Sequence, residues 1–267
     1  MMSKISIPTI HSLFIICISL LHTGCSGAPE ESESQLSAKA QIEKLGGIVT
    51  GIDSVSINLM ENPNVKDDDL KLLAGIDNLT YLSVRGTDVG DAGMAHIANI
   101  KTLETIDVSN SLVTDAGLKH LSGLNISSFH AGPKKHSDEA RKQIGDAGLA
   151  ELCKIKTLRV LSLERTNITS EGVASLELLP KLGRLNLALT AIDDEAIPAL
   201  STLTSLTSLD LSLTGITDEG VIHLETLTNL NHLLLLETAV SNEMKAELLQ
   251  RLPGTVITLN NEDQATQ

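Results

Sequence analysis

A period of 24 residues runs through the chain. It is plainest in KTLRVLSLERTNITSEGVASLELL from 156, PKLGRLNLALTAIDDEAIPALSTL from 180 and TSLTSLDLSLTGITDEGVIHLETL from 204. The same register holds in DNLTYLSVRGTDVGDAGMAHIANI from 77, KTLETIDVSNSLVTDAGLKHLSGL from 101 and TNLNHLLLLETAVSNEMKAELLQR from 228. Such a chain grows by stacking like units, each packed on its neighbours, so 267 residues need not divide into several globular domains.

Within a unit the apolar places are fixed. In the copy from 204 they are Leu206, Leu209, Leu211, Ile216, Val221, Leu224 and Leu227. The spacing opens from two to three or four, which predicts a short strand followed by a helix. Leu209 and Leu211 then point inward from the strand, and Val221, Leu224 and Leu227 close the core from the helix. Thr114, Thr169, Asp193, Thr217 and Ser241 stand just before the helical stretch, where a side-chain oxygen caps free amide protons. Asp115, Asp194, Asp218 and Glu219 in the first turn suit the positive end of the helix dipole.

The pattern LxxLxLxxTxITDxGLxxLxxL resembles the leucine-rich repeats of the ribonuclease-inhibitor-like and cysteine-containing subclasses, over residues 53–260. The resemblance implies an α/β solenoid, a horseshoe with a parallel β-sheet on its concave face and helices on its convex face. Where those families often carry Asn or Cys this chain has Thr87, Thr166, Thr190, Thr214 and Thr238. A buried hydroxyl ladder serving loop backbone groups is expected there, because unpaired buried polar groups are costly.

About eight units and a final strand are expected. The unit at 53–76 fits if one residue is inserted in its ENPN loop. The unit at 125–155 keeps the pattern through Ile126, Phe129, Ala131, Leu149 and Leu152 and carries an insert at about 133–143. Solenoid ends need covers. Residues 37–52 are read as a helical N-terminal cap, with Ala38, Ile42 and Leu45 on one face and Gly46-Gly47 as its stop. Ile257 and Leu259 fall in strand places, before a polar tail at 261–267.

Aromatic residues are almost absent, so Leu, Ile and Val must build the core. The formal charge of −14 argues against nucleic acid or an anionic lipid surface as a partner, since both need clustered Lys and Arg. Residues 1–25 hold one cation, Lys4, and an apolar run from Leu13 to Leu21 too short to span a bilayer, which reads as a signal peptide. Its end, Leu21-His22-Thr23-Gly24-Cys25, resembles the lipobox of bacterial lipoproteins, with His22 where an apolar residue is usual. That likeness implies lipidation at Cys25 and a protein held at the cell envelope or outer surface; secretion in soluble form is the alternative. Residues 26–36 are small and acidic and read as a flexible tether. Of the three cysteines only Cys153 lies among the repeats, so neither an internal disulfide nor a Cys-based zinc site is expected there.

No phosphate loop, HExxH, GxSxG or metal-ligand spacing appears, so no cofactor, metal or catalytic residue is assigned. His130 and His136 flank the insert beside Lys134, Lys135 and Asp138, and are read as a solvated charged loop. Asp67-Asp68-Asp69 is read as a helix start in preference to a calcium site. Asn78, Asn125 and Asn167 are chance sequons in a repeat rich in Asn, Leu and Thr.

The horseshoe places alternate strand residues on the concave face. Candidate partner-binding residues are Tyr81, Arg85, Asp107, Asn110, Arg165, Arg184, Leu189, Asp210, Leu213 and Leu236, the three leucines as an apolar stripe. The expected function is protein or peptide binding by a monomer at the envelope. An enzyme or enzyme accessory with a site at the insert is the alternative. A ubiquitin-ligase-type substrate receptor is a second, disfavoured by the export signal and by the lack of an F-box before the repeats.

Overall fold

A computed structural model describes residues 32–132 and 144–260. The signal peptide, Cys25, the insert at 133–143, with His136 and its neighbouring lysines, and the tail at 261–267 lie outside the described residues. Ten strands form one sheet in chain order: β1 (Ile48–Thr50), β2 (Val55–Asn58), β3 (Leu79–Ser83), β4 (Thr105–Asp107), β5 (Ser128–Ala131), β6 (Val160–Leu163), β7 (Arg184–Asn186), β8 (Ser208–Asp210), β9 (His232–Leu234) and β10 (Val256–Thr258). All neighbours from β2 onward pair in parallel, as expected when every strand is followed by a helical return.

The N-terminal end differs from expectation in two ways. Helix α1 spans Glu33–Lys44, so residues 33–36 belong to the cap and not to the tether. The reason is local: the Ser32 side chain accepts from the Gln35 amide, and Gln35 is buried in the fold. After α1 the chain makes β1, which pairs antiparallel with β2, so the cap is a helix plus a hairpin strand.

The convex segments are shorter than full helices. They include α2 (Asp91–Ile97), α3 (Asp115–Leu118), α4 (Asp146–Leu152), α5 (Ser170–Val173), α6 (Ile197–Leu200) and α7 (Asp218–Val221). Several continue or begin as 3-10 turns, and the first unit uses a 3-10 segment throughout, over Asp67–Gly75. A 3-10 turn rises about 2 Å per residue against 1.5 Å, so fewer residues cross the same width. The last unit carries the longer α8 (Asn242–Arg251), with Arg251 bonded to Glu225 and to Glu247 on the exposed side. The core is one continuous stack of Leu, Ile and Val from Ile42 to Ile257, with Phe129 fully buried.

Three side-chain ladders run along the stack, two of which cross from unit to unit. The Thr87, Thr166, Thr190, Thr214 and Thr238 hydroxyls each donate to the carbonyl three residues back, at 2.5 to 2.7 Å. The bond therefore closes the turn within its own unit. Thr102, Thr157, Thr207 and Thr255 instead donate to a carbonyl of the preceding unit.

The third ladder lies at the helix starts. Asp146 accepts from the Thr169 amide at 2.9 Å and from its hydroxyl at 2.6 Å; Asp91 does the same with Thr114, Asp194 with Thr217 and Asp218 with Ser241. Asp194 and Asp218, expected as partners of a helix dipole, thus also bind the next unit's helix cap, as Asp91 and Asp146 do. Thr114, Asp193, Thr217 and Ser241 also cap their own helices, whereas Thr169 makes no such bond.

The ladder dictates a glycine. A Cβ on Gly172 would sit 2.1 Å from Asp146 Oδ1, and one on Gly220 2.1 Å from Asp194 Oδ1. Where the preceding unit offers the shorter Ser170, the equivalent place holds Ala196. Gly172→Ala is therefore expected to lower stability by about 1–3 kcal/mol by overpacking, against the gain of roughly 1 kcal/mol that alanine gives an ordinary helix. Urea denaturation measures it, and adding Asp146→Ser should restore part of the loss; a stabilised single variant would contradict the ladder.

Burial pushes the Cys153 thiol up from 9.0 to about 12. A thiol whose pKa is raised by folding adds stability below its unfolded pKa, and that stability is lost as pH rises from about 9 towards 12. In a Cys17→Ser/Cys25→Ser background, thiol labelling at pH 8 should proceed only as fast as the protein opens. Fast labelling without urea would place Cys153 at the surface.

Candidate partner-binding face

One face of the sheet is fully covered by the core, and the opposite face carries two rows of side chains. Strand register aligns Tyr81, Thr105, Ser128, Val160, Arg184, Ser208 and His232 in one row and Ser83, Asp107, His130, Ser162, Asn186, Asp210 and Leu234 in the next. Adjacent members lie about 4.8 Å apart, the strand spacing. Arg184 and His232 are exposed; Tyr81, Asp107, His130, Asn186, Asp210 and Leu234 are half-buried.

The second row does local work. Asp107 accepts from the Ser109 amide, Asn186 from that of Ala188 and Asp210 from that of Ser212, at 2.9 to 3.0 Å, and Asn58 does the same for Met60. Such Asx turns end the strand and lead into a left-handed residue. That residue is Glu61, Asn110, Leu189 or Leu213; Arg165, Glu237 and Gly86 take the same place in units whose turn residue is Ser162, Leu234 or Ser83, with φ between 54° and 61° for all but Gly86, at 68°. Asp107 and Asp210 are thus turn residues as well as candidates for contact. His130 departs from the row's habit: its Nε2 lies 2.8 Å from the Ser128 hydroxyl.

Six of the ten candidate residues fall into two groups. Arg85, Asp107 and Asn110 line a polar recess of about 190 Å³ with Ser109, His130, Ser162 and Glu164, and Arg85 reaches Glu61 at 3.6 Å. Leu189, Leu213 and Leu236 form a separate rim towards the C-terminal end, joined by backbone bonds: the Leu213 amide donates to the Leu236 carbonyl, and the Leu189 amide to that of Ser212. Leu213 is 46% exposed, while Leu189 and Leu236 are half-buried. Tyr81 and Arg184 belong to the first row and line neither group. Arg165 shares the left-handed place with Leu189 one unit earlier. The alignment of Leu189 with Leu213 was visible in the sequence; their backbone state was not, since neither Gly nor Asn marks it.

Among the described residues no group of three or more His, Cys, Asp or Glu is placed to hold a metal ion. The Asp67–Asp69 carboxylates diverge: Asp67 accepts from the Gly90 amide, Asp69 from that of Lys66, and Asp68 pairs with Lys71 at 2.7 Å. That hydrogen bond and charge hold the exposed Asp68 carboxyl below its usual range.

The Leucine Rich repeat family matches residues 77–98, 154–176 and 202–224. The fold is a leucine-rich-repeat solenoid. An internalin C2 of Listeria monocytogenes superposes with a TM-score of 0.60 at 21% identity, covering 82% of this chain and 83% of its own. A second Listeria monocytogenes internalin gives 0.56 at 24% identity, over 75% of this chain and 59% of that one. No curated protein matches. At these identities the likeness is one of fold. No helix among the described residues of the leucine-rich-repeat solenoid is long and apolar enough to cross a membrane.

Asp210→Ala removes the acceptor that ends β8 and should lower stability by about 1 kcal/mol, with Asp210→Asn close to wild type because Asn186 fills this role one unit earlier. Equal denaturation midpoints for all three proteins would show that the turn bond is dispensable.

Proposed function

We propose that this leucine-rich-repeat protein is exported, anchored by a lipid on Cys25 and specialised to hold a protein or peptide on the concave face of its sheet. The observation that carries the reading is the one-sided sheet: the inward strand residues are buried, while Arg184 and His232 stand exposed in an open row of short side chains. An open parallel sheet of this kind offers a partner many side chains on a rigid backing, which limits the ordering cost of binding. The protein acts in this reading as a monomer, by binding and without a catalytic step, and its −14 charge turns nucleic acid away.

The apolar run at 13–21 and Leu21-His22-Thr23-Gly24-Cys25 support export and the anchor, and the Thr-bearing repeat supports the ribonuclease-inhibitor-like or cysteine-containing subclass. Binding residues are taken from Tyr81, Arg85, Asp107, Asn110, Arg165, Arg184, Leu189, Asp210, Leu213 and Leu236. Affinity capture from envelope extract with the full chain should recover a partner whose yield drops at least about tenfold with Tyr81→Ala/Arg184→Glu, the denaturation midpoint staying put. Unchanged capture would move the site off this face. Cys25→Ser should abolish fatty-acid labelling and release the protein from the membrane fraction; continued labelling would remove the anchor from the proposal.

A further inference from the structure

Leu189 and Leu213 occupy a place that the fold makes left-handed in unit after unit. Their φ is 59° and 56°. A side chain with a Cβ is strained there, Gly is free of that strain and Asn tolerates it. Other units use Gly86 or Asn110 at this place, or the charged Glu61, Arg165 and Glu237. Leu213 gains little burial in return, being 46% exposed, and Leu189 is half-buried and outside the core cluster. Neither local conformation nor the core explains two leucines in adjacent units. An observed backbone outlier of this kind points to use by a partner.

The surroundings say what kind of partner. The Leu213 amide donates to the Leu236 carbonyl, and Leu234 lies beside Asp210 in the strand row, so four leucines gather at this end of the sheet, with Leu236 in the place that Ala188 and Ser212 hold in the units before it. Carboxylates border it: Glu237 is exposed in the left-handed place after Leu213, and Asp210 ends the strand before it. One Asp210 oxygen is held by the Ser212 amide. The arginines of this region lie to one side: Arg184 stands a further row away, and Arg165 takes the left-handed place before Leu189, at the end of the rim away from Glu237. A chain of net charge −14 adds a long-range field of the same sign.

We propose that this rim docks a peptide segment of a partner protein that carries two adjacent apolar side chains next to Lys or Arg. The apolar pair seats on Leu189, Leu213 and Leu236, and the cation faces Asp210 and Glu237. The proposal rests on the concave-face reading and narrows it to one end.

The test pairs stability with binding, using the full chain. Leu189→Asn/Leu213→Asn should leave the denaturation midpoint unchanged or raise it, because Asn suits the left-handed backbone. A lowered midpoint would show that the leucines serve packing and would overturn the proposal. For binding, the probes are acetylated Gly-Leu-Leu-Lys-Lys-Gly, the same peptide with Glu for Lys, and the same peptide with Ala for Leu, followed by fluorescence anisotropy. The first should bind at least about tenfold more tightly than the other two, and the difference should vanish in the double variant and shrink in Asp210→Asn. Equal binding of both lysine peptides would reduce the effect to overall charge and overturn the proposal, as would no binding at all. Self-association of the wild type that disappears in the double variant would make the occupant a second copy of this chain and also overturn it. Capture of an envelope partner that survives the double variant but fails in Tyr81→Ala/Arg184→Glu would sink the leucine rim alone and leave the concave-face reading standing.

Discussion

Asp146 gives both carboxylate oxygens to Thr169, one to the amide and one to the hydroxyl, and thereby ties one unit to the helix start of the next. A single unit cannot close its apolar face, so the stack holds only if each unit fixes the distance and tilt of its neighbour. The carboxylate bond does this at the convex side, and strand pairing does it at the concave side. Side-chain bonds to amides that lack an intrahelical partner are among the stronger kinds, because the acceptor is ionised. The contact is so close that it excludes a Cβ opposite it, which is why Gly93, Gly117, Gly148, Gly172 and Gly220 recur and Ala196 faces Ser170.

The same economy governs the opposite face. The strands are only three to five residues long, and each must end in a turn that returns the chain to the convex side. Asn58, Asp107, Asn186 and Asp210 end them by accepting the amide two residues on, and a left-handed residue follows. Polar residues on the concave face are therefore of two kinds. Those in the turn row support the fold, whereas Arg184 and His232 stand open to solvent. A leucine at the left-handed place fits neither pattern, so the C-terminal rim is the part of this face least accounted for by folding.

How much of this was legible beforehand depended on the residue. Leu209 and Leu211 announced an inward strand face through their alternation, and Thr87 and its equivalents announced a hydroxyl ladder through their recurrence. The cap was only half legible: Ala38 and Ile42 marked a helix, but Ser32 as its start and Ile48–Thr50 as an antiparallel strand needed the neighbouring β2 to become visible. The sequence offers ten candidate residues for this face; the fold puts three in a polar recess and three at an apolar rim, leaves Tyr81 and Arg184 in the outer row, and gives Asp210 and Arg165 places in the turn.

Periodicity by itself determined a stack of strand-then-helix units and the composition of its core, because a 24-residue repeat that switches spacing within each copy has few ways to bury its leucines; the parallel horseshoe was what the resemblance to leucine-rich repeats implied. Tertiary structure alone decided what the acidic residues and the rim leucines do. Asp146 and Thr169 are 23 residues apart, and nothing local to either reveals that they meet. The left-handed state of Leu189 and Leu213 is likewise imposed by the turn and the neighbouring strands against the preference of the residue, so it is invisible to any rule that reads residue type.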